Sequence, residues 1–505
     1  MKHPHTPFAL VVLDGWGSRE GKEHNPIAEA KTPFYDELLT TYPHALLDAS
    51  GVEVGLPEGQ MGNSEIGHMV IGSGMVIPTD LVRIQAALDR GEGDTNQVLQ
   101  DLFAHVKERN SVLHLVGLVG TGGVHAQQSH LVGILRAAKR AGVTKAFIHS
   151  FTDGRDTPPQ SAAGFVKELE RELKEIGIGR IATLCGRFYA MDRDKNWERI
   201  GKAESALFER VGTASAATPE ETLLSQYEAK QQDEQLEPFI FSDENGEVCA
   251  PIQKGDGVFF FNFRADRAAQ LSRRILERVK DLDVLFATMT IYDETLACPV
   301  AFPSFVPPVT LAAELSSHGL TQTHIAETEK YAHATYFLNG GRATPHQGED
   351  FVLIESQKVR THDLAPEMRA KEITDAALVQ LEAGKDFLFL NYANADMVGH
   401  TANHAAIIQA VEVIDHELSR LVTAVTARGG VVLITADHGN AEQSFDPHSN
   451  QSHTAHTLNV VPAIFTKEGV QLRPRGTLAD ITPTILDWLE LPIPADMTGK
   501  SLLVS

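Results

Sequence analysis

The chain contains few cysteines and no long apolar run near its start. Its three cysteines, Cys185, Cys249 and Cys298, are widely spaced and form no CxxC pair, which argues against a disulfide framework and a thiolate zinc site. The first apolar run covers only residues 8–13, too short for the apolar part of a signal peptide or for a membrane span. We therefore expect a cytoplasmic protein with no membrane partner.

Positive charge is also scarce. The 44 lysines and arginines face 67 aspartates and glutamates, which gives a formal net charge of −23. Such an acidic chain repels nucleic acid and anionic lipid, so neither is expected as a partner. If the substrate is a phosphate ester, its binding site must gather positive charge locally.

What the chain does contain is a regular alternation of apolar, strand-like runs and amphipathic, helix-like stretches. The predicted strands are 8–13, 113–119, 146–151, 181–185, 257–263, 286–292, 386–392 and 431–435, and the predicted helices include 266–280 and 403–422. This alternation predicts an α/β fold with mostly parallel sheets. Because 505 residues are too many for one core, two or more domains are expected.

Two proline-containing segments interrupt the alternation, at residues 76–79 and 303–308. Proline stiffens the chain and breaks both helix and sheet, so these segments are candidate linkers. If residues near the N-terminus share a site with residues of the C-terminal half, then 77–308 is a domain inserted into a discontinuous domain of 1–76 and 309–505.

Aspartates and histidines follow two predicted strands of the C-terminal half. Asp396-x-x-x-His400 comes after 386–392, and Asp437-His438 comes after 431–435. Carboxylates and imidazoles held at strand ends suit a divalent metal. With a further histidine near residue 456, these residues exceed what one ion needs, and this indicates a two-metal site for phosphoryl chemistry.

Not every histidine of this region can be a ligand. The seven between residues 396 and 456 are His400, His404, His416, His438, His448, His453 and His456. His404 and His416 fall in the predicted helix and are expected to be ordinary exposed or packed side chains. Spacing alone does not decide between His453 and His456.

Asp14 and Ser64 are the candidates from the N-terminal end. Asp14 follows the strand 8–13 and precedes Gly15, so it is either a residue of a ligand crevice at a strand end or a common turn aspartate. Ser64 lies in a glycine-rich segment. Beside a metal its hydroxyl could become an alkoxide nucleophile; the alternative is that Asn63 or Ser64 merely caps a helix.

A second set of candidates follows four predicted strands of the middle segment. It consists of one histidine and five arginines, His125, Arg155, Arg187, Arg193, Arg264 and Arg267. Any single arginine would usually be explained by a surface ion pair. Their recurrence at strand ends predicts a site for a small anion, because guanidinium groups bind carboxylate and phosphate with two hydrogen bonds.

Several strings along the whole chain carry a family resemblance. They include Val12-Leu-Asp-Gly-Trp-Gly17, Met61-Gly-Asn-Ser-Glu-Ile-Gly-His68, Asp153-Gly-Arg-Asp156, Phe260-Phe-Asn-Phe-Arg-Ala-Asp-Arg267, Ile325-Ala-Glu-Thr-Glu-Lys330, Asn391-Tyr-Ala-Asn-Ala-Asp-Met-Val-Gly-His400, Thr435-Ala-Asp-His-Gly-Asn440 and Ala455-His-Thr457. On these strings the chain resembles the 2,3-bisphosphoglycerate-independent phosphoglycerate mutases of the alkaline phosphatase superfamily.

The resemblance implies two α/β domains, a discontinuous alkaline-phosphatase-like metal domain and an inserted substrate-binding domain. It implies two divalent ions, Mn²⁺ in bacterial members. One ion would take Asp396, His400 and His456, and the other Asp14, Ser64, Asp437 and His438. It favours His456 over His453, and it adds Lys330 as a phosphate contact, which residue patterns alone miss.

The implied reaction interconverts 3-phosphoglycerate and 2-phosphoglycerate through a phosphoserine on Ser64. Asp156 would be the acid and base, and His125, Arg155, Arg187, Arg193, Arg264 and Arg267 would bind substrate. Closure of the insert at the two linkers would exclude water, and a monomer is expected. The alternative is a metal-dependent phosphatase or phosphodiesterase of the same superfamily, which would not need the arginines. One departure from the family pattern, Ala126-Gln-Gln128, lies next to His125.

Overall fold

The computed structural model describes residues 5–242, 249, 251–447 and 449–504. The strands within these residues are β1 Phe8–Leu13, β2 His44–Asp48, β3 Leu113–Leu118, β4 Ala146–Thr152, β5 Arg180–Gly186, β6 Thr213–Ser215, β7 Phe239–Phe241, β8 Gly257–Phe260, β9 Leu285–Thr288, β10 Gln322–Glu327, β11 Glu349–Ile354, β12 Phe387–Tyr392, β13 Val431–Thr435, β14 Phe445–Asp446, β15 Gln451–Ser452, β16 Val461–Phe465 and β17 Arg475–Thr477.

Helices connect most of these strands. The α-helices are α1 Pro26–Glu29, α2 Pro33–Thr41, α3 Ser64–Ser73, α4 Asp80–Asp89, α5 Gln97–Glu108, α6 Gln128–Arg140, α7 Ala162–Ile176, α8 Arg187–Ala190, α9 Trp197–Glu209, α10 Pro219–Glu228, α11 Ala269–Val279, α12 Leu311–Ser317, α13 Ala370–Glu382, α14 Asn394–Gly399, α15 His404–Thr426 and α16 Ile481–Trp488. In the part of the chain that is described, none of them has the length and apolarity that crossing a bilayer requires. The α/β fold class predicted from the sequence is confirmed.

Two predicted strands prove shorter than expected. The apolar run 257–263 is a strand only up to Phe260, and the run 286–292 only up to Thr288. Beyond Phe260 the side chain of Asn262 accepts a hydrogen bond from the backbone N–H of Leu118 at 2.9 Å. The side-chain oxygen of Asn262 thus takes the place of a backbone carbonyl as hydrogen-bond acceptor for β3. The apolar character of the run does not show where the strand ends.

The described residues fall into two compact units. Unit 1 consists of Met1–Thr79 and Phe305–Ser505, and unit 2 of Asp80–Ser304. Each has its own buried apolar core.

Unit 1 contains a sheet with the order β11-β10-β12-β1-β13-β16-β2-β17. The neighbours β10, β12, β1 and β13 are parallel. All residues of β1 are buried, as expected for a parallel strand covered on both faces. The buried residues of α15 recur at intervals of three and four, the pattern of a helix that packs one face on the sheet. The carboxyl ends of four adjacent strands therefore meet at one edge of the sheet.

Unit 2 contains a sheet with the order β6-β7-β5-β4-β3-β8-β9. The strands from β5 to β9 in this order are parallel. Phe259, Phe260 and Phe261 are completely buried at the end of β8. The carboxyl ends of β5, β4, β3 and β8 form a second edge at which polar loop residues can meet.

A chain of buried polar side chains crosses the unit 2 sheet. His114 places Nε2 at 3.1 Å from Asp256 Oδ2 and Nδ1 at 2.9 Å from His149 Nε2, and His149 Nδ1 lies 3.0 Å from the Thr183 hydroxyl. A carboxylate only accepts hydrogen bonds, so with both imidazoles uncharged all hydrogen bonds of the chain point the same way: Thr183 donates to His149, His149 to His114, and His114 to Asp256. Burial, reinforced by His114, lowers the pKa of His149 well below its ordinary value.

Unit 2 should therefore lose stability in mild acid. The folded protein keeps His149 neutral while the unfolded chain binds a proton below about pH 6.5, so the free energy of unfolding falls as the pH drops through that value, with a limiting slope of about 1.4 kcal/mol per pH unit for one histidine. Denaturant titrations between about pH 7.5 and 5.5 measure the slope. In the His149→Gln variant the slope should lose the contribution of one bound proton, which is at most about 1.4 kcal/mol per pH unit. An unchanged slope would rule out His149 as its source.

Candidate active site

The carboxyl edge of the unit 1 sheet gathers the residues predicted to bind metal. Each of four adjacent parallel strands leads into a member of this group, in the order Lys330 after β10, Asp396 after β12, Asp14 after β1, and Asp437 with His438 after β13. Ser64 reaches the same point from the first residue of α3. The sequence positions span most of the chain, and the sheet order brings them together.

The ammonium group of Lys330 lies at the centre of the cluster. Its Nζ donates to Asp14 Oδ1 at 2.6 Å, to Asp396 Oδ2 at 2.7 Å and to Ser64 Oγ at 2.8 Å. Burial alone would lower the pKa of Lys330, but the charges of Asp14, Asp396 and Asp437 outweigh burial and raise it. The lysine therefore stays charged inside the protein.

Three histidines face the cluster with their Nε2 atoms. Each directs Nδ1 to a backbone carbonyl oxygen, at 2.8 Å from His400 to Thr454, 2.8 Å from His456 to Gly62 and 3.3 Å from His438 to Gly439. A carbonyl oxygen only accepts, so Nδ1 donates and Nε2 of the neutral ring keeps its lone pair. Metal-binding histidines are commonly oriented by such a bond.

Asp396, His400 and His456 form one candidate ligand group. Asp396 Oδ1 lies 3.3 Å from Nε2 of each histidine, and the two Nε2 atoms are 3.3 Å apart. The hydrogen bond with Asp396 raises the pKa of His400, and in His456 the same contact outweighs burial and raises its pKa too. Two imidazole lone pairs that face one carboxylate oxygen fit a shared cation.

Asp14, Ser64, Asp437 and His438 form the other candidate group. His438 Nε2 lies 3.0 Å from Ser64 Oγ, 3.5 Å from Asp14 Oδ1 and 3.6 Å from Asp437 Oδ2. Asp437 Oδ2 is buried without a hydrogen-bond donor. It lies 3.2 Å from Nδ1 of His68, but that nitrogen donates to the Ser64 carbonyl oxygen at 2.8 Å. A buried carboxylate oxygen without a donor fits a cation at this position.

The charges of the cluster are not balanced by the lysine alone. Burial and the charge of Asp437 raise the pKa of Asp14. Burial would raise the pKa of Asp396 and of Asp437, but neighbouring positive charge, with Lys330 contributing to both, outweighs burial and lowers both pKa values well below the usual range. One ammonium group thus faces three carboxylates, and the geometry of both ligand groups suits divalent metal ions.

Local turns leave Asp14 and Ser64 free to face the cluster. Asn63 caps α3, since its side-chain oxygen accepts from the backbone N–H of Ile66 at 3.0 Å, and the Ser64 hydroxyl is not used for capping. Gly15 after Asp14 has φ +72°, and a Cβ there would lie 2.7 Å from the Cα of Asp396. The tight turn and the close approach both require glycine.

The sequence did not predict the side chains that surround these groups. Asn391 donates to Asp14 Oδ2 at 2.8 Å, and Asn440 donates to Asp396 Oδ1 at 2.8 Å. The buried carboxylate of Glu442 accepts from the backbone N–H of Gly17 and Asn440, from the Thr457 hydroxyl and from the Asn459 amide. No residue pattern marks these positions, because each partner is distant in sequence or in an irregular loop.

The remaining histidines of the region lie elsewhere. His404 contacts Ser444 Oγ at 2.8 Å and Glu29 at 3.1 Å, and His416 is largely exposed on α15. His453 belongs to none of the potential metal groups found among the described residues, whereas His456 does. His448 lies outside the described residues.

The predicted anion-binding residues of unit 2 also follow adjacent strand ends. His125 comes after β3, Arg155 and Asp156 after β4, Arg187 and Arg193 after β5, and Arg264 and Arg267 after β8. Arg187 Nη1 donates to Asp156 Oδ2 at 2.6 Å and to Asp153 Oδ1 at 2.7 Å. Asp153 Oδ1 also accepts from the backbone N–H groups of Arg155 and Asp156, and this fixes the turn that carries them.

Asp266 joins the other side of this cluster. It accepts from Arg193 Nη1 at 3.0 Å, contacts Arg264 Nε at 3.1 Å and lies 3.7 Å from Nδ1 of His125. His125 Nε2 lies 3.7 Å from Asp156 Oδ2. Neither distance from the imidazole is a hydrogen bond, and Nδ1 of His125 is buried without a hydrogen-bond partner.

Positive charge outweighs negative charge around Arg267. Burial and the repulsion of Arg193, Arg187 and Arg155 lower the pKa of Arg267. Burial and Arg187 lower the pKa of His125 to about 4. In Asp156 burial would raise the pKa, but Arg187 outweighs it and lowers it. The cluster therefore favours a bound anion and keeps Asp156 ionised.

Comparison with protein families supports a metal-dependent chain. The family model described as the metalloenzyme superfamily matches residues 6–493. This range includes both candidate ligand groups and the arginine cluster.

Curated relatives and a solved structure match nearly the whole chain. The 2,3-bisphosphoglycerate-independent phosphoglycerate mutase of Moorella thermoacetica is 47% identical and that of Chloroflexus aggregans 45% identical, each covering 99% of this chain and 98% of the relative. The second such enzyme of Methanosarcina acetivorans is 46% identical over 100% of this chain and 99% of its own. A crystal structure of Leishmania mexicana phosphoglycerate mutase at low cobalt concentration gives a TM-score of 0.64 at 30% identity, over 99% of this chain and 98% of that chain.

Proposed function

The chain belongs to the 2,3-bisphosphoglycerate-independent phosphoglycerate mutases, and we propose that it interconverts 3-phosphoglycerate and 2-phosphoglycerate through a phosphoserine on Ser64. This makes it an isomerase of glycolysis and gluconeogenesis. The position of the Ser64 hydroxyl carries the proposal: it lies 2.8 Å from the Lys330 ammonium group and 3.0 Å from His438 Nε2.

Ser64 is the nucleophile of the proposed transfer. Lys330 donates to Ser64 Oγ, which favours the deprotonated form, and the first turn of α3 adds the positive end of a helix dipole. Oγ bonds to phosphorus while the bond from phosphorus to the glycerate oxygen breaks. Phosphate then returns to the other glycerate hydroxyl, so no second phosphate donor is needed.

The proton is exchanged by Asp156. It protonates the glycerate oxygen that leaves phosphorus and takes the proton of the hydroxyl that attacks the phosphoserine. Arg187 holds the Asp156 carboxylate at 2.6 Å and keeps it ionised in the free protein. The proton that Asp156 gives to the leaving oxygen is therefore the one released by the Ser64 hydroxyl, and Asp156 is then again a carboxylate that can act as the base of the second transfer.

Divalent metals are the cofactors of the proposed reaction, one held by Asp396, His400 and His456 and one by Asp14, Ser64, Asp437 and His438. Two such ions would supply positive charge next to the serine oxygen and the phosphoryl group. We propose Mn²⁺, the ion that the family resemblance implies, and the carboxylate donors of both groups are compatible with it. Metal analysis, with Mn²⁺, Mg²⁺, Co²⁺ and Zn²⁺ added back to chelated protein, tests the choice.

The arginines decide between transfer and hydrolysis. We assign the glycerate to His125, Arg155, Arg187, Arg193, Arg264 and Arg267, which would retain it while phosphate is on Ser64. A phosphatase needs no such retention. The domain assignment, with 77–308 binding glycerate and linkers at 76–79 and 303–308 acting as hinges, belongs to this proposal, as do a monomeric state and a cytoplasmic location.

Arg267→Met should weaken glycerate retention without creating a cavity. Loss of a charged hydrogen-bond donor costs about 1.5–3 kcal/mol, so kcat/KM for the mutase reaction should fall about tenfold to hundredfold. The ratio of inorganic phosphate to isomer should rise at the same time, as a coupled assay of both products shows.

Arg171→Met is the matched control for this test, because Arg171 is an exposed α7 residue paired with Glu168 and Glu175. It should leave rate and product ratio unchanged. A wild-type protein that releases mostly inorganic phosphate would favour the phosphatase alternative instead.

A further inference from the structure

His68 is a completely buried histidine that the proposed reaction does not use. It follows Ser64 by one turn on α3, and its Nδ1 lies 2.8 Å from the Ser64 carbonyl oxygen. Its Nε2 lies 2.9 Å from the side-chain nitrogen of Asn391. Both ring nitrogens thus have partners, so His68 has no lone pair left for a metal.

The orientation of Asn391 follows from its other neighbour. The same amide nitrogen lies 2.8 Å from Asp14 Oδ2, and a carboxylate only accepts, so the amide must present its N–H₂ group to Asp14. Its second proton then points at His68 Nε2, which has to accept. The remaining nitrogen, Nδ1, carries the proton and donates to the Ser64 carbonyl oxygen. Two contacts therefore select a single tautomer of His68.

The tautomer of His68 determines whether Asp437 Oδ2 receives a hydrogen bond. Asp437 Oδ1 accepts from the backbone N–H groups of Gly15 at 3.2 Å and His438 at 3.1 Å. Oδ2 is 3.2 Å from His68 Nδ1 but has no hydrogen-bond donor, because the Nδ1 proton is directed to Ser64. The other tautomer would set a nitrogen lone pair against both the Ser64 carbonyl oxygen and Asp437 Oδ2.

Helix α3 packs closely against the loop that carries Asp437. A Cβ at Gly67 would lie 2.7 Å from the backbone oxygen of Asp437 and 2.8 Å from its Cβ. The helix that carries Ser64 thus rests directly on the Asp437 loop, with His68 and Asn391 beneath the Ser64 and Asp14 side chains.

We propose that Asn391 and His68 are positioning residues. They fix the Ser64 main chain and the Asp14 carboxylate relative to each other, and they leave Asp437 Oδ2 available to a metal ion. The inference rests on the proposed function for its purpose, since Ser64 and Asp437 are respectively nucleophile and ligand there. The geometry from which it is drawn lies wholly within unit 1.

The tautomer can be tested without any activity. In ¹⁵N spectra of histidine-labelled, metal-free protein, the His68 signal is the one that disappears in His68→Gln. It should show a protonated Nδ1 and an unprotonated Nε2. Asn391→Ala should broaden or shift this signal because the tautomer is no longer selected. A neutral His68 ring with the proton on Nε2 instead of Nδ1 would overturn the proposal.

A pair of substitutions separates the two ring contacts. The side-chain nitrogen of His68→Asn can take the position of Nδ1 and donate to Ser64, whereas His68→Gln offers an oxygen near Nε2 and loses that donor. Calorimetric Mn²⁺ affinity and kcat should each fall about tenfold to hundredfold in His68→Gln and much less in His68→Asn, with KM for 3-phosphoglycerate unchanged in both.

His416→Gln on the exposed face of α15 is the control and should match wild type. A purely structural role would lower the melting temperature of His68→Gln and leave its Mn²⁺ affinity and kcat unchanged, and this result would contradict the proposal. If the wild type shows no mutase activity, the proposed function fails, while the ¹⁵N spectra and the metal affinities still decide the role of His68.

Discussion

Replacing Ser64 with alanine is expected to abolish mutase activity while the protein stays folded. No other hydroxyl group lies among the contacts of the Lys330 ammonium group, which are Asp14, Ser64 and Asp396 in the described residues. Removal of a nucleophile that forms a covalent intermediate typically costs about 10⁴-fold or more in kcat. The substitution deletes one oxygen and creates almost no cavity, so the melting temperature should change little.

Two measurements check the Ser64→Ala result. Isomer formation should fall to background, and protein quenched with ³²P-labelled 3-phosphoglycerate should carry no label. Binding of 3-phosphoglycerate should persist, because the arginine cluster of unit 2 is unchanged. Ser317→Ala, at the exposed end of α12, is the control. Turnover of Ser64→Ala comparable to wild type would refute Ser64 as the nucleophile.

Lys330→Met should have the second largest effect, and it should appear in both rate and stability. Without the ammonium group the metal-free protein buries Asp14, Asp396 and Asp437 with no central cation. Leaving a buried charge unpaired costs about 3–5 kcal/mol. The free energy of unfolding of metal-free protein should drop by that order, and by much less when divalent ions neutralise the same carboxylates.

The rate effect has a separate cause. Lys330 donates to Ser64 Oγ and lies where charge develops on the phosphoryl group, and loss of one such donor costs about 10²–10³-fold in kcat. Unfolding titrations with and without Mn²⁺, together with steady-state rates, measure both effects. Lys371→Met, which removes an exposed pair with Asp375 on α13, should change neither. Equal destabilisation with and without metal would show that Lys330 and the ions do not share the same carboxylates.

Most residues of the candidate metal site could be predicted from the sequence because of how parallel sheets are built. Asp14, Asp396 and Asp437 each follow an apolar run, and carboxyl ends of adjacent parallel strands meet at one edge. The strand that leads to Lys330 was not visible. Four of its six residues from Gln322 to Glu327 are polar, yet all six are buried, and only the carboxylates of other strands give the lysine its role.

Other features depend on contacts that no local pattern contains. His456 rather than His453 lies against Asp396, and the family resemblance, not spacing, favoured it. Asn391 lies inside a predicted strand, where an amide normally signals nothing. Its contact with Asp14 joins residues 377 positions apart, so it becomes apparent only once β1 and β12 are paired.

In the unit 2 cluster, too, the sequence predicted some residues of the site but not the contacts that hold them. The recurrence of arginines after strand ends predicted an anion site. The structure places Arg187 against Asp156, and Arg193 and Arg264 against Asp266, whereas Arg155 pairs with Glu234 and Arg267 donates to the Met191 carbonyl oxygen. The sequence did not predict that Asp153 and Asp266 would hold the guanidinium groups in place. An acidic residue next to an arginine is common in loops, and its function depends on which arginine it meets.

A rapid-quench experiment with ³²P-labelled 3-phosphoglycerate and the Mn²⁺-loaded protein tests the central claim most directly. Label should appear on Ser64 within a single turnover, pass into 2-phosphoglycerate at the rate at which it leaves the serine, and reach inorganic phosphate only in trace amounts. Label that enters 2-phosphoglycerate without first appearing on Ser64, or that leaves Ser64 mainly as inorganic phosphate, would contradict the account.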